Sequence, residues 1–298
     1  MRKTILLACL FLILSSASRT NAGSAAGTPS KAEPPAPAPM ATPSQHPGAA
    51  LEILKAAIGE MQLQDSLLAG YRYLKTAVVE FLDDDLVTKK SEERLLEVTS
   101  IPHGPDAEVL IAVNGKRISE KERQKSEAEQ KRRAQDGGAQ LNLSSEDLVA
   151  QFDWSFAGTE RVNGRPATIL SFRPKPGAIY KGGDPRAEKF IRKVTGRVWV
   201  DDAERAMSRI EFSSTEPVKS FGGLFWTLDS LFVREERQRL PEGVWIDSTG
   251  EYFVDATALV VKRIVRRSTS HTHNYKRGPD GEPASGSGTK STSRSGQG

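Results

Sequence analysis

The stretch Gly196 to Phe212, GRVWVDDAERAMSRIEF, restricts the fold more than any other part of the chain. Val198 and Val200 fall on one side of an extended segment, and Trp199 and Asp201 on the other. Asp201-Asp202-Ala203-Glu204 reads as a polar turn, and Met207 to Phe212 returns with Ile210 and Phe212 on one face. A period of two on both sides of a charged turn is what a half-buried antiparallel hairpin requires. Similar units recur on both sides. The expected fold is mainly β (α+β): a curved antiparallel sheet or unclosed β-barrel. An N-terminal helix and a charged helical excursion should pack on or beside it.

The amino terminus sets the compartment. Met1-Arg2-Lys3 is a basic start and Ile5 to Leu14 is an apolar run too short to span a bilayer comfortably, followed by the small and polar residues 15–22. Residues 1–22 are expected to be a secretory signal peptide cleaved after Thr20-Asn21-Ala22, which places the protein in the periplasm. An uncleaved anchor, or a lipoprotein signal ending at Cys9, is the alternative. Cleavage removes Arg2, Lys3 and Arg19, so the formal charge drops from +4 to about +1. Such a balance gives little support to nucleic-acid binding. It also removes Cys9, the one cysteine, leaving no disulfide, thiolate metal site or cysteine nucleophile.

Residues 23–48, with PPAPAPM at their centre, cannot bury enough apolar surface to offset their ordering entropy and read as a disordered tether. A single domain is expected over 49–268. Leu51, Leu54, Ile58, Met61 and Leu67 give 49–68 an amphipathic helical pattern. Tyr71 to Leu82, Leu95 to Ile101 and Glu108 to Val113 read as strands. Lys116 to Asp136 is a charged helix opened by a Ser119/Glu122 capping box, with Lys131-Arg132-Arg133 as its basic end. Ser144 to Gln151 is a short helix. Phe152 to Phe172 is a hairpin around Asn163-Gly164, the pair that type I′ turns favour. Phe152, Trp154 and Phe156 share one face of its first arm. Ile169 and Ser171 share one face of its second. Beyond Ser268 the composition degenerates, so 269–298 is expected to be a disordered tail.

Reaction chemistry has few carriers. No G-x-S-x-G, H-E-x-x-H, G-x-G-x-x-G or Walker pattern occurs. His103 is the only histidine inside the expected domain; His271 and His273 fall at the start of the expected tail. Asp153, Glu160, Asp201 and Glu211 could be imagined as glycosidase carboxylates, though charges on the outer side of a sheet explain them as well. Asp83-Asp84-Asp85 lacks EF-hand spacing. No catalysis, cofactor or metal site is expected.

The aromatic residues are more distinctive. Trp154, Trp199, Trp226 and Trp245 fall in four successive sheet segments. Aligned on one face with Phe156, Ile169, Ile210 and Phe212, they would line a concave apolar surface able to hold an acyl chain.

The G-R-V-W-V-D hairpin, the L-P-E-G-V-W-I turn, and the stretches VLIAVNGKRISEKERQK and GTERVNGRPATILSFRPKP are similar to uncharacterised bacterial members of the LolA/LolB-type periplasmic lipoprotein-sorting superfamily. The resemblance runs from about Ala49 to Val265. It implies an unclosed antiparallel β-barrel lidded by helices, which in several members carries lipid or lipoprotein. The long polar helix from Lys116 departs from those carriers. The implied function is a noncatalytic periplasmic carrier or binding module for lipid, lipoprotein or another apolar envelope component. The alternative is an envelope sensor or scaffold whose ligand is another protein. A monomer is expected, with no nucleic-acid partner and no transmembrane span after signal cleavage.

Overall fold

The computed structural model describes residues 47–101, 106–135, 145–178, 180, 185–220, 226–258 and 262–278. The expected signal peptide, nearly all of the tether and residues 279–298 lie outside the described residues. The chain opens with α1 (Pro47–Leu67), then β1 (Tyr71–Leu82), β2 (Thr88–Thr99), β3 (Ala107–Val113) and β4 (Lys116–Arg117). Next come α2 (Glu120–Gln135), α3 (Ser145–Gln151), β5 (Phe152–Val162), β6 (Arg165–Pro174) and α4 (Pro185–Ile191). It closes with β7 (Val194–Asp201), β8 (Met207–Ser214), β9 (Val218–Ser220), β10 (Trp226–Arg239), β11 (Trp245–Ala258) and β12 (Lys262–Arg277).

The strands form one 12-stranded antiparallel sheet in the order β4-β3-β2-β1-β12-β11-β10-β8-β7-β6-β5, with β9 beside β10. It does not close: β4 and β5 stay at opposite ends of that order. Almost every neighbour is a hairpin partner, so two meanders result. The seam between β1 and β12 joins them, pairing Tyr71 with Arg277 at one end and Leu82 with Val265 at the other.

Turn chemistry explains the hairpins. Asn163 and Gly164 sit at φ 49° and 77°, both in the left-handed region a type I′ turn demands. In the β7–β8 turn the Asp201 carboxylate accepts the backbone N–H groups of Ala203 and Glu204 at 3.1 and 2.9 Å. Arg165 grips its two oxygens at 2.7 and 2.9 Å. Burial works to raise the Asp201 pKa, but the Arg165 fork and the turn amides outweigh it and hold the carboxyl below its ordinary range.

The face covered by α1, α3 and α4 is called the inner face. From α1 come Ala50, Leu54, Ala57 and Ile58, the i, i+4, i+7, i+8 stripe of an amphipathic helix. From the strands come Trp154, Leu170, Phe172, Val198, Val200, Phe212, Val233 and Val254 among others. The two alanines let the helix approach the sheet closely. Burying Leu54 alone stabilises by about 1.5–3 kcal/mol. Among the described residues no helix is long and apolar enough to cross a membrane.

Three expectations need correction. The tail begins later than Ser268, because β12 continues to Arg277 in the centre of the sheet, between β1 and β11. Ser268 and Thr272 are buried there, so the polar composition is that of a strand packed through small hydroxyl residues. The charged helix starts at Glu120, because Lys116 and Arg117 first pair with Val113 and Ala112. Its capping box forms as expected: Ser119 N–H donates to Glu122 at 2.8 Å, and Glu122 N–H to the Ser119 hydroxyl at 3.3 Å. The side chains of Lys131-Arg132-Arg133 lie outside the described residues. Leu67, assigned to the buried stripe of the first helix, is exposed, as is Leu63 one turn earlier.

Candidate apolar binding site

The helix α3 ends directly against β5, and the Trp154 indole N–H donates to the Leu148 carbonyl at 2.9 Å. That bond satisfies the one polar group of a buried ring and fixes where the ring stands. Phe172 lies 5.0 Å from Trp154 and 5.2 Å from Phe152, the latter pair edge-on at 76°. These three rings form one wall of a gap. Val198, Met207 and Ile210 supply its floor, and Leu54 of α1 and Leu148 of α3 its roof. Every side chain lining it is apolar. Its volume is about 10 Å³, room for roughly one water-sized sphere. The gap cannot hold an acyl chain while α1 is seated.

The eight expected lining residues divide. Trp154 and Ile210 line the gap. Phe212 belongs to the same core and Trp226 packs, partly buried, against it. Phe156 is half-buried one alternation further along β5, opposite Leu170. Ile169 and Trp199 pack with Val162 and Ala167 in a separate cluster on the outer face. Trp199 is 2% exposed because its ring lies between two guanidinium groups, Arg197 at 5.1 Å and Arg209 at 4.9 Å. Its indole N–H donates to Glu160 at 2.8 Å. Trp245 is caged at the β7–β8 turn, donating to Glu204 at 2.8 Å with Arg165 5.6 Å from its ring.

Leu54, Leu148, Phe152, Phe172, Val198 and Met207 complete the lining, and none of them was among the lining residues expected from sequence. The available signal was alternation: Val198 faces opposite to Trp199, so it must join the inner face once Trp199 is placed outside.

The four carboxylates considered for catalysis face arginines. Glu211 pairs with Arg197 and Arg234, both at 2.9 Å, and Asp201 with Arg165 at 2.7 Å. Glu160 pairs with Arg209 at 3.1 Å, and Asp153 stands 3.9 Å from Arg173. Desolvation pushes the Glu160 pKa up, but the Trp199 and Arg209 hydrogen bonds more than offset it, leaving the carboxyl below its usual value. A general acid would require the opposite shift. Among the described residues no group of three or more His, Cys, Asp or Glu side chains is placed to hold a metal ion.

No family model matches the sequence, and no curated protein matches it. Solved structures are similar to the chain over most of its length. A domain from Vibrio parahaemolyticus described as an outer membrane lipoprotein-sorting protein is 13% identical, with 75% of this chain and 92% of that one covered, at TM-score 0.32. A DUF1329 family protein from Desulfovibrio piger is 16% identical over 76% and 94% of the two chains, at TM-score 0.28. The MucA/MucB complex of Pseudomonas aeruginosa matches at 10% identity over 78% and 99%, at TM-score 0.24.

Proposed function

We propose that this protein is a noncatalytic binding module of the bacterial periplasm, taking an apolar chain of lipid or lipoprotein between α1 and the inner face of β5–β8. One observation carries the reading: the gap beneath α1 and α3 is lined by apolar side chains alone. Water gains nothing in such a site, whereas each buried methylene of a ligand is worth roughly 0.8 kcal/mol. The seated helix leaves about 10 Å³. Binding therefore requires α1 to lift, with the ligand replacing the contacts of Leu54 and Ile58. The signal-like residues 1–22 support the compartment. The test is an acyl-probe titration on mature protein refolded to remove carried lipid. Saturable binding, reduced when Ile210→Trp fills the gap, supports the carrier reading; no binding of any acyl probe overturns it.

The small volume of the gap also favours a second reading, in which the same fold recognises a protein and the core stays closed. Capture of a stoichiometric envelope protein by a preparation whose core holds no lipid would favour this sensor or scaffold role.

A further inference from the structure

Residues His271 and His273 lie one alternation apart on β12, so both side chains leave the same face of the sheet. Their rings are nearly parallel, 13° apart, with centroids 6.1 Å from one another. The backbone is held on both sides beneath His271 and by β1 beneath His273. On β1, Thr76 pairs with His271 and Leu74 with His273, while Thr249 on β11 pairs with His271. His271 is exposed and His273 half-exposed, so a solvated ion can reach both.

We propose that His271 and His273 form a surface chelate for a first-row divalent ion, cupric copper in preference to zinc. From the sequence the two rings fall at the start of a tail with no third ligand nearby, and in a flexible tail ordering two free side chains opposes binding. The strand removes that cost, because it fixes both Cα positions before any ion arrives. Metal–nitrogen bonds of about 2.0–2.1 Å at adjacent coordination positions put the two ring centroids roughly 4.5–5 Å apart. The observed separation exceeds this by about 1 Å, which side-chain rotation supplies without moving the strand. Imidazole nitrogens suit copper, nickel and zinc and do not suit calcium or magnesium, and the order of stability puts copper above zinc. The paired residues on the flanking strands, Thr76, Leu74 and Thr249, bring no carboxylate. Among the described residues no third His, Cys, Asp or Glu joins them, so the site has two ligands there, and water or a donor from another molecule completes the coordination.

The experiment uses the full mature chain without a histidine tag. Calorimetric titration with Cu²⁺ and with Zn²⁺ is compared between wild type and the double variant His271→Ala/His273→Ala. His46, His103 and the amino terminus remain in both, so their contributions subtract. One Cu²⁺ per chain should bind to wild type more tightly than Zn²⁺. That step should be lost in the double variant and weakened in each single one. The electron paramagnetic resonance spectrum at one equivalent of Cu²⁺ should show coupling to imidazole nitrogens in wild type only. A second readout needs no variant: substoichiometric Cu²⁺ should broaden the imidazole resonances of His271 and His273 before those of His46 and His103. Equal copper binding by wild type and a folded double variant, or broadening that spares these two rings, overturns the proposal.

Discussion

The Gln64 side-chain oxygen accepts the backbone N–H of Trp245 at 3.0 Å, across 181 positions of chain. The bond ties the last turns of α1 to the first residue of β11, and both residues are buried. Gln64 donates in turn to Glu60 at 2.7 Å. The apolar stripe of α1 holds the helix down without direction, and this bond fixes its register on the sheet.

Gln64→Ala should leave the Trp245 N–H buried without an acceptor, costing about 1–3 kcal/mol in urea unfolding. If α1 is the lid, the same change should speed association of an acyl probe in stopped-flow measurements. Slower or unchanged association in a folded variant would show that α1 does not gate the site.

The Asp201 carboxyl titrates below its ordinary value in the folded chain, so its contribution to stability is present above the unfolded value of about 3.9. That contribution disappears as pH falls through the lower folded value. Asp201→Asn should destabilise by roughly 1–3 kcal/mol near neutrality. The lower part of that range is expected, because the Arg165 side chain keeps 33% of its surface in solvent. The difference from wild type should begin to shrink below about pH 4, as the unfolded carboxyl protonates, and keep shrinking until the folded carboxyl is protonated as well. Denaturant midpoints from pH 3 to 7 check this; a constant difference across that range would contradict it.

At Gly196 the backbone of β7 passes close to its neighbours. A Cβ there would stand 2.2 Å from the Glu211 carbonyl oxygen and 2.7 Å from both Phe172 Cζ and Phe212 Cβ. Gly196→Ala must therefore part β7 from β8 or turn the two rings away. It should destabilise by about 1–3 kcal/mol or more, read from the thermal midpoint. No loss would mean that the rings do not close over the glycine.

The architecture was legible in the chain wherever a turn residue sat between two alternating segments. Asn163-Gly164 and the Asp201–Glu204 turn each placed a hairpin, and the capping box placed the start of α2 more accurately than the charge run did. The extent of β12 was hidden because Ser268, Ser270 and Thr272 resemble linker composition, although such residues fit where neighbouring strands approach closely. Trp199 shows a different limit. Alternation correctly separated Trp199 and Asp201 from Val198 and Val200, but hydrophobicity alone assigned the tryptophan to the cavity side. Arg197, Trp199 and Asp201 share one face, and a large ring flanked by charges at i−2 and i+2 belongs on the outer side, roofed by arginine. The clasp between Gln64 and Trp245 had no local signal, since it depends on how the helix lies across a sheet built much later in the chain.

Occupancy of the inner face is best read through the tryptophans, labelled with 5-fluorotryptophan and followed by fluorine NMR during titration with an acyl probe. Each resonance can be assigned by a single Trp→Phe change. The Trp154 resonance, in the wall of the gap, should move saturably, and Trp226 at the margin of the same core should follow. Trp199, packed against Arg197 and Arg209 on the outer face, should stay in place, whereas Trp245, whose backbone N–H bonds to Gln64 of α1, should shift as the helix lifts. A titration in which Trp154 never shifts, or in which Trp199 responds first, would contradict binding beneath α1.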